Sequence, residues 1–534
     1  MPKYATRKRV PRFKMRNNQG SKRSVTIIFA IWLTSAAIAS AGDWPQWCGS
    51  DAKNMVSAEK GLPVSFAPGQ KRNDGTIDRA TASNVKWGVK LGDAFYSTPS
   101  VAGGKVYVGG LDGTQGTFVC FDATSGKRLW QWKAPPRDAP RSIDGFPIGI
   151  SEIPQQIGVC SSAAVEGDRV YFVSNRFDVL CLDAAGSQSK PGEARVVWKF
   201  DTWEKFGVFP CDAANGSPLI IGDLLYVTTS NGVDRNSFAD PARERNRKIP
   251  APQAPNLIVL DKRDGRLVAS DSAPIMPNIL HGQWSSPSTG LVDGRRLVFY
   301  GGGDGRCYAF EALASVPEKP VRLKTAWSCD CIPAEYKVSG AWDPITYYCL
   351  GDRRVHGALN HNDGKYVGQS EIIATPVLDG GRVYVAIGRD PAHGRGRGAL
   401  HCIDPRGSGD ITAGGKVWSY LGLDRTLSTV SVADGLLYLS DVGGRLHCLD
   451  AATGRLLWIH DTKCETWGST LVADGKVYMP TSKGLWVLAA GRELKILAHI
   501  SLGGKVYASP VAANGTLYVA TNTGWLWAVG QQEK

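Results

Sequence analysis

The stretch Ser97-Thr-Pro-Ser-Val-Ala-Gly-Gly-Lys-Val-Tyr-Val-Gly109 returns almost unchanged as Ala374-Thr-Pro-Val-Leu-Asp-Gly-Gly-Arg-Val-Tyr-Val-Ala386, and again as Ala508-Ser-Pro-Val-Ala-Ala-Asn-Gly-Thr-Leu-Tyr-Val-Ala520. Each version is a short apolar run, a glycine turn and a second apolar run carrying Tyr, the pattern of a β-hairpin. Aligned on the residue eight before the Tyr, the series runs Pro99/Tyr107, Ala163/Tyr171, Pro218/Tyr226, Pro376/Tyr384, Val430/Tyr438, Thr470/Tyr478 and Pro510/Tyr518. An eighth member begins at Pro287, with extra residues before Leu297-Val-Phe-Tyr300. Each hairpin leads into a third apolar strand such as Phe118-Val-Cys-Phe-Asp122 or Leu446-His-Cys-Leu-Asp450, then a turn, then a fourth strand that often presents Trp: Trp130, Trp198, Trp327, Trp418 and Trp458. Four antiparallel strands per copy in eight copies predict an all-β chain folded as an eight-bladed β-propeller.

The two ends of the repeat region fit ring closure. The eighth copy stops after its third strand, Trp525-Leu-Trp-Ala-Val529, and an orphan strand, Asn84-Val-Lys-Trp-Gly-Val-Lys-Leu91, precedes the first copy. Trp87 lies 12 residues before Pro99, the same offset as Trp418 to Val430 and Trp458 to Thr470. The orphan is therefore expected to be the outer strand of the last blade, a pairing that removes two exposed sheet edges.

The phrase apolar-Asp-x-x-Thr-Gly-Lys/Arg-x-x-Trp, clearest from Asp450 to Trp458 and echoed from Asp122 to Trp130, resembles the repeat of the pyrrolo-quinoline quinone (PQQ)-like β-propellers. Copies three and seven lack the Trp, and Asp43-Trp-Pro-Gln-Trp47 is similar to the mature start of secreted bacterial members. The resemblance runs from about Asp43 to Gly530. It implies the quinoprotein alcohol dehydrogenase-like fold. It leaves activity open, because the family holds both quinone-dependent dehydrogenases and non-catalytic scaffolds.

The formal charge of +13 falls to +4 once residues 1–41 are set aside, because they carry nine Lys/Arg and no Asp/Glu. A chain at that charge exerts no strong pull on polyanions, so nucleic acid is not an expected partner. The basic stretch Lys3 to Arg23, the apolar run Val25 to Leu33 and the small-x-small triplet Ala39-Ser-Ala41 read as an export leader cut after Ala41. The apolar run is too short for a good bilayer span. The expected organisation is a signal peptide at 1–41, an N-terminal extension at 42–83, the propeller at 84–530 and a tail at 531–534, with a periplasmic or extracellular location and no membrane span in the mature chain.

Cys120, Cys181, Cys307, Cys402 and Cys448 read as small core thiols at one repeat position of the third strands. Cys160, Cys211 and Cys464 precede first strands, where free thiols, disulfides and metal ligation all stay open. An insertion at about 312–369 holds Cys329-Asp-Cys331, Cys349, His356 and His361, for which a disulfide to Cys349 is favoured over a metal site.

Residues just before the first strands are expected to line the mouth of the central channel. They are Tyr96, Gln155, Asp212, Asn215, His281, Gln283, Trp284, Glu371, Arg425, Glu465, Trp467 and Tyr507. Such a mixture of aromatic, amide and charged groups suits a protein partner or a small polar ligand. The favoured reading is a non-catalytic binding or interaction scaffold without a cofactor. A PQQ-dependent dehydrogenase with calcium is the alternative. Against it stand the missing Cys-Cys pair, which the resemblance would have stack the quinone, and the missing Cys-x-x-Cys-His haem site. A carbohydrate-active or lyase propeller is a further alternative, which requires paired carboxylates or a His/Tyr/Arg set at the mouth; His281 with Glu371 or Glu465 is a separate candidate acid–base pair. N-terminal sequencing of the exported protein is expected to begin at Gly42; a start at Met1 in a membrane fraction contradicts the leader reading.

Overall fold

The computed structural model describes residues 42–135, 141–143, 146–148, 157–208, 213–232, 249–279, 282–336, 371–388 and 397–531. Eight antiparallel sheets follow one another along the chain, each built in the order inner strand to outer strand. The first is Ser100–Ala102, Lys105–Asp112, Gln115–Asp122 and Arg128–Lys133. The last is Val511–Ala513, Thr516–Thr521 and Trp525–Val529, and its outer strand is Val85–Lys90, with Trp525 opposite Lys90 and Val529 opposite Val85. The middle strands of each blade are buried on both faces, which is why they read as nearly unbroken apolar runs.

The repeated motif is a joint between neighbouring blades. The indole N–H of each motif Trp on an outer strand donates to a backbone carbonyl of the next blade: Trp87 to Ala123 at 2.9 Å, Trp130 to Ala184 at 3.1 Å, Trp198 to Lys262 at 3.0 Å, Trp327 to Pro405 at 2.9 Å, Trp418 to Ala451 at 3.2 Å and Trp458 to Gly491 at 3.0 Å. The accepting turn is held by its own Asp; Asp450 Oδ1 takes the backbone N–H and the hydroxyl of Thr453 at 3.1 and 2.9 Å. The motif glycine then lies against the neighbour's ring. At Gly454, φ is +71° and a Cβ would stand 2.5 Å from Trp418 Cε3, so both the turn and the packing demand glycine there.

The third and seventh blades, which lack the Trp, are each widened to five strands, as is the fourth, where Gly409–Asp410 adds in parallel to Thr325–Asp330. Val321–Arg322 adds in parallel to the outer strand Leu267–Ser270, and Val56–Ser57 adds in parallel to the inner strand Leu471–Ala473. The fourth blade also departs from the sequence reading. Its hairpin pairs Ser288–Val292 with residues 295–299, two more residues in each paired arm than the Ser100–Ala102 hairpin of the first blade. Phe299, not Tyr300, therefore pairs with Ser288 where the other blades place Tyr. The same shift corrects the cysteine register. Cys120, Cys181, Cys402 and Cys448 each stand between a Tyr and a Trp on adjacent strands, but Ala309 holds that position in the fourth blade and Cys307 faces Cys329. The outer strand of this blade, Thr325–Asp330, falls within the stretch read as an insertion, and Cys349, His356 and His361 lie outside the described residues.

A belt formed by residues 42–62 runs around the ring on the side of the inner hairpin turns. It exchanges backbone hydrogen bonds between Trp44 and Val101 of the first blade at 2.8 Å, then accepts from Val165 of the second, Thr289 of the fourth and Leu378 of the fifth. Asn54 grips Val432 of the sixth blade through both its backbone groups, Val56–Ser57 joins the seventh, and the Ser57 hydroxyl reaches Ala512 of the eighth. Trp44, Cys48, Met55 and Leu62 are buried beneath it. We expect Gly454→Ala to destabilise the ring by about 1–3 kcal/mol in urea unfolding, through the left-handed turn and the displaced Trp418 together. Trp418→Phe is expected to cost about 1 kcal/mol, the net worth of the single hydrogen bond it removes.

Candidate functional site

Each blade contributes one hydroxyl to a collar around the channel. Thr98, Ser162, Ser217, Ser286, Thr375, Thr429, Ser469 and Ser509 each sit one residue before the aligned repeat position, and all eight line a single cavity of about 430 Å³. Small side chains are required because eight chain segments converge here. The hydroxyls also join the blades: the backbone N–H of one collar residue donates to the hydroxyl of the next. The bonds run from Ser162 to Ser217 (3.0 Å), Ser217 to Ser286 (2.9 Å), Thr375 to Thr429 (3.1 Å), Thr429 to Ser469 (2.8 Å) and Ser469 to Ser509 (2.8 Å). Ser509 then donates to Thr98 at 3.1 Å, across the junction of last and first blades. The belt supplies a floor. Trp47 lines the same cavity, and its indole N–H donates to Thr375 Oγ1 at 2.9 Å.

The walls above the collar are aromatic and apolar. On the seventh, eighth and first blades, Trp467 and Tyr507 stack with ring centroids 4.0 Å apart and planes 5° apart, and Tyr96 lies 6.2 and 6.3 Å from them. The Tyr507 hydroxyl donates to Glu465 Oε2 at 2.7 Å. Burial and this neighbouring carboxylate hold the Tyr507 phenol well above its ordinary pKa, so it stays a donor at any physiological pH. Across the ring, Trp284, Ile373 and Leu427 form an apolar cluster, with the Trp284 N–H tied to the Ala213 carbonyl at 3.1 Å. Cys160 also lines the cavity; burial pushes its thiol up to about 12. Glu465 is the single charged side chain among the described lining residues.

Of the residues expected at the mouth, Tyr96, Asn215, Trp284, Glu465, Trp467 and Tyr507 meet in this one cavity. Gln283, Glu371 and Arg425 do not line it; each is almost fully buried in the wall. The Gln283 amide ties Asn256 of the third blade to Tyr300 and Gly303 of the fourth, at 3.0, 3.2 and 2.9 Å. Glu371 pairs through its backbone with Gly388. Gln155, Asp212 and His281 lie outside the described residues. The collar and the Trp47 floor are additions to the expected set. The collar had a signal in the sequence, since a Ser or Thr stands immediately before the aligned position in all eight copies.

A sequence model of the family described as outer membrane protein assembly factor BamB matches residues 71–148 and 351–494. Among solved structures, BamB from Moraxella catarrhalis is similar at 14% identity, over 83% of this chain and 97% of its own, with a TM-score of 0.52. A europium-containing methanol dehydrogenase is similar at 14% identity, over 90% of this chain and 89% of its own, with a TM-score of 0.55. At such identities the likeness is one of fold. No curated protein matches the sequence. With its thiol at about 12, Cys160 carries almost no thiolate at pH 8. Its alkylation in the native protein, followed by peptide mass spectrometry, is expected to run roughly a hundredfold or more slower than in urea.

Proposed function

As a member of the PQQ-like repeat β-propellers, the chain is, we propose, an exported non-catalytic binding scaffold that holds a small polar ligand, or a projecting segment of a protein partner, in the cup at its channel mouth. The observation that carries this reading is the cup itself: closed below by Trp47 and the hydroxyl collar, and walled by the stacked Trp467 and Tyr507 on one side and Trp284 on the other. Flat aromatic faces over fixed hydroxyls suit a ligand with an apolar face and a polar end. The leader motif supports export, and among the described residues no helix is long and apolar enough to cross a membrane.

The dehydrogenase reading asks for PQQ in the same place, and the described lining does not suit it. PQQ would supply an ortho-quinone for two-electron chemistry, but it is a tricarboxylic acid. The described lining offers it no cation and one carboxylate, Glu465, which is already engaged by Tyr507. Calcium calls for six to eight oxygen ligands, usually with carboxylates among them. Six of the eight collar hydroxyls already accept backbone N–H bonds from a neighbouring blade. A glycosidase requires a second acid beside Glu465, and a lyase of this kind a His/Tyr/Arg set; the described lining contributes tyrosines but no second acid, His or Arg.

The test is a titration of intrinsic tryptophan fluorescence with a panel of short peptides and neutral oligosaccharides. One class is expected to quench the wild type, and Trp467→Ala or Tyr96→Ala is expected to weaken that binding about tenfold or more while the melting temperature stays nearly unchanged. PQQ-dependent reduction of an artificial electron acceptor by the purified protein contradicts the reading.

A further inference from the structure

The seam between the last and first blades carries a buried acid aimed at the start of the belt. Glu59 is 3% exposed. Its Oε1 accepts the Gly42 N–H at 2.8 Å and the Asn514 N–H at 2.8 Å, and its Oε2 accepts the Gly515 N–H at 2.7 Å. Asn514 and Gly515 form the inner hairpin turn of the last blade. Asp43 completes the clasp. Its Oδ2 accepts from the Gly103 N–H in the corresponding turn of the first blade at 2.9 Å, and its Oδ1 accepts from Asn514 Nδ2 at 2.8 Å. Two consecutive residues, Gly42 and Asp43, thus fasten the turns on either side of the seam, and Glu59 returns from the far end of the belt to meet them.

A buried carboxylate facing only neutral amides is costly, and a cation among its partners relieves that cost. The one partner of Glu59 that can become a cation is Gly42. The small-x-small triplet Ala39-Ser-Ala41 ends at the residue before it. We propose that leader removal is also a locking step, in which cutting between Ala41 and Gly42 converts the neutral Gly42–Glu59 hydrogen bond into a buried ion pair that fastens the first blade to the last only in the processed chain. A leader peptidase adds water across the Ala41–Gly42 amide. One product ends in the Ala41 carboxylate; the other begins with the Gly42 α-ammonium, which keeps its bond to Glu59 and gains the charge. The unprocessed chain then carries a weaker seam, and the processed ring closes with a charge-assisted bond.

The inference rests on the leader reading, which N-terminal sequencing tests separately; the experiment here uses chains cut in vitro and does not depend on where a cell cuts. Two chains are compared by thermal melting, one beginning at Gly42 and one retaining Ala39-Ser-Ala41 ahead of it. At pH 7 the chain beginning at Gly42 is expected to melt about 2–5 °C higher. An α-amine has an ordinary pKa near 8, raised by the Glu59 partner. The advantage is therefore full below about pH 8 and is lost as pH rises through the raised value. Other groups around the clasp are common to both chains, so their titration cancels in the difference. They are Asp43 and Lys60 on the belt, Lys86 and Tyr518 of the last blade, Asp474 and Lys476 of the seventh and Asp122 of the first. Lys53, which burial lowers to about 8, cancels in the same way.

Glu59→Gln is expected to erase the difference between the two chains at every pH. Should that variant fail to fold, acetylating the Gly42 amine of the wild-type chain is expected to lower its melting temperature to that of the extended chain. Equal melting temperatures at pH 7, a gap that does not shrink toward pH 11, or a gap that survives Glu59→Gln or acetylation each overturns the proposal.

Discussion

The rest of the structure depends on one bond that no blade can make for itself: the N–H of an outer-strand tryptophan reaching a carbonyl in the next blade, in four of six cases over a glycine that has no Cβ to obstruct the ring. Left unpaired, each buried indole would forfeit its hydrogen bond on folding. Placed against the neighbour, it buries a large apolar face and fixes the angle between the two sheets. The Asp-x-x-Thr-Gly turn and the Trp that follows it are therefore two halves of two different joints. The turn receives the previous blade's Trp, and the Trp enters the next blade's turn. Six such joints connect the eight blades in a chain of mutual dependence. The two blades without the Trp are both thickened by an added strand, one from the loop between the third and outer strands of the fourth blade and one from the belt, and the fourth blade, which keeps Trp327, gains one as well.

The site inherits its rigidity from this arrangement. At the inner end of the blades the collar hydroxyls repeat the logic of the joints at smaller radius, six of the eight accepting a neighbour's amide, so the base of the cup resists shifts of one blade at a time. The belt seals the opposite side and sends Trp47 into the floor. The aromatic wall of Tyr96, Trp467 and Tyr507 draws on the first, seventh and eighth blades, which meet at the seam that Gly42, Asp43 and Glu59 clasp. Seam and aromatic wall thus occupy the same sector of the ring, at its two faces. Recognition by such a cup relies on pre-placed rings and hydroxyls, and it leaves little to be ordered on binding.

Much of this was legible in the sequence because a repeat writes the same local physics many times over. The hairpin phrase and the Trp offset of Trp87 disclosed the blades and the strand that the last one borrows. Mouth positions were legible as loops but not as directions. Trp284 and Gln283 are adjacent, yet one faces the cup and the other lies between two blades, because successive residues of an extended segment point to opposite sides. Cys307 was misplaced for a related reason: two extra residues in each arm of the fourth hairpin move the register without altering the look of the motif. The belt was illegible, since residues 42–62 occur once and pair with strands hundreds of positions away; only Asp43-Trp-Pro-Gln-Trp47 stood out, and not for its role as a floor. The collar was written in full, one residue before the alignment point, where a small hydroxyl reads as an ordinary loop residue.

The central claim is that the ring behaves as one body and so holds the cup fixed. Native-state hydrogen exchange tests it most directly, at the backbone N–H groups of Ser162, Ser217, Thr375, Thr429, Ser469 and Ser509, each bound to the next blade's hydroxyl. Interlocked blades predict that these amides exchange together, at a single free energy equal to that of global unfolding. Exchange in separate groups, blade by blade and at lower free energies, would contradict it.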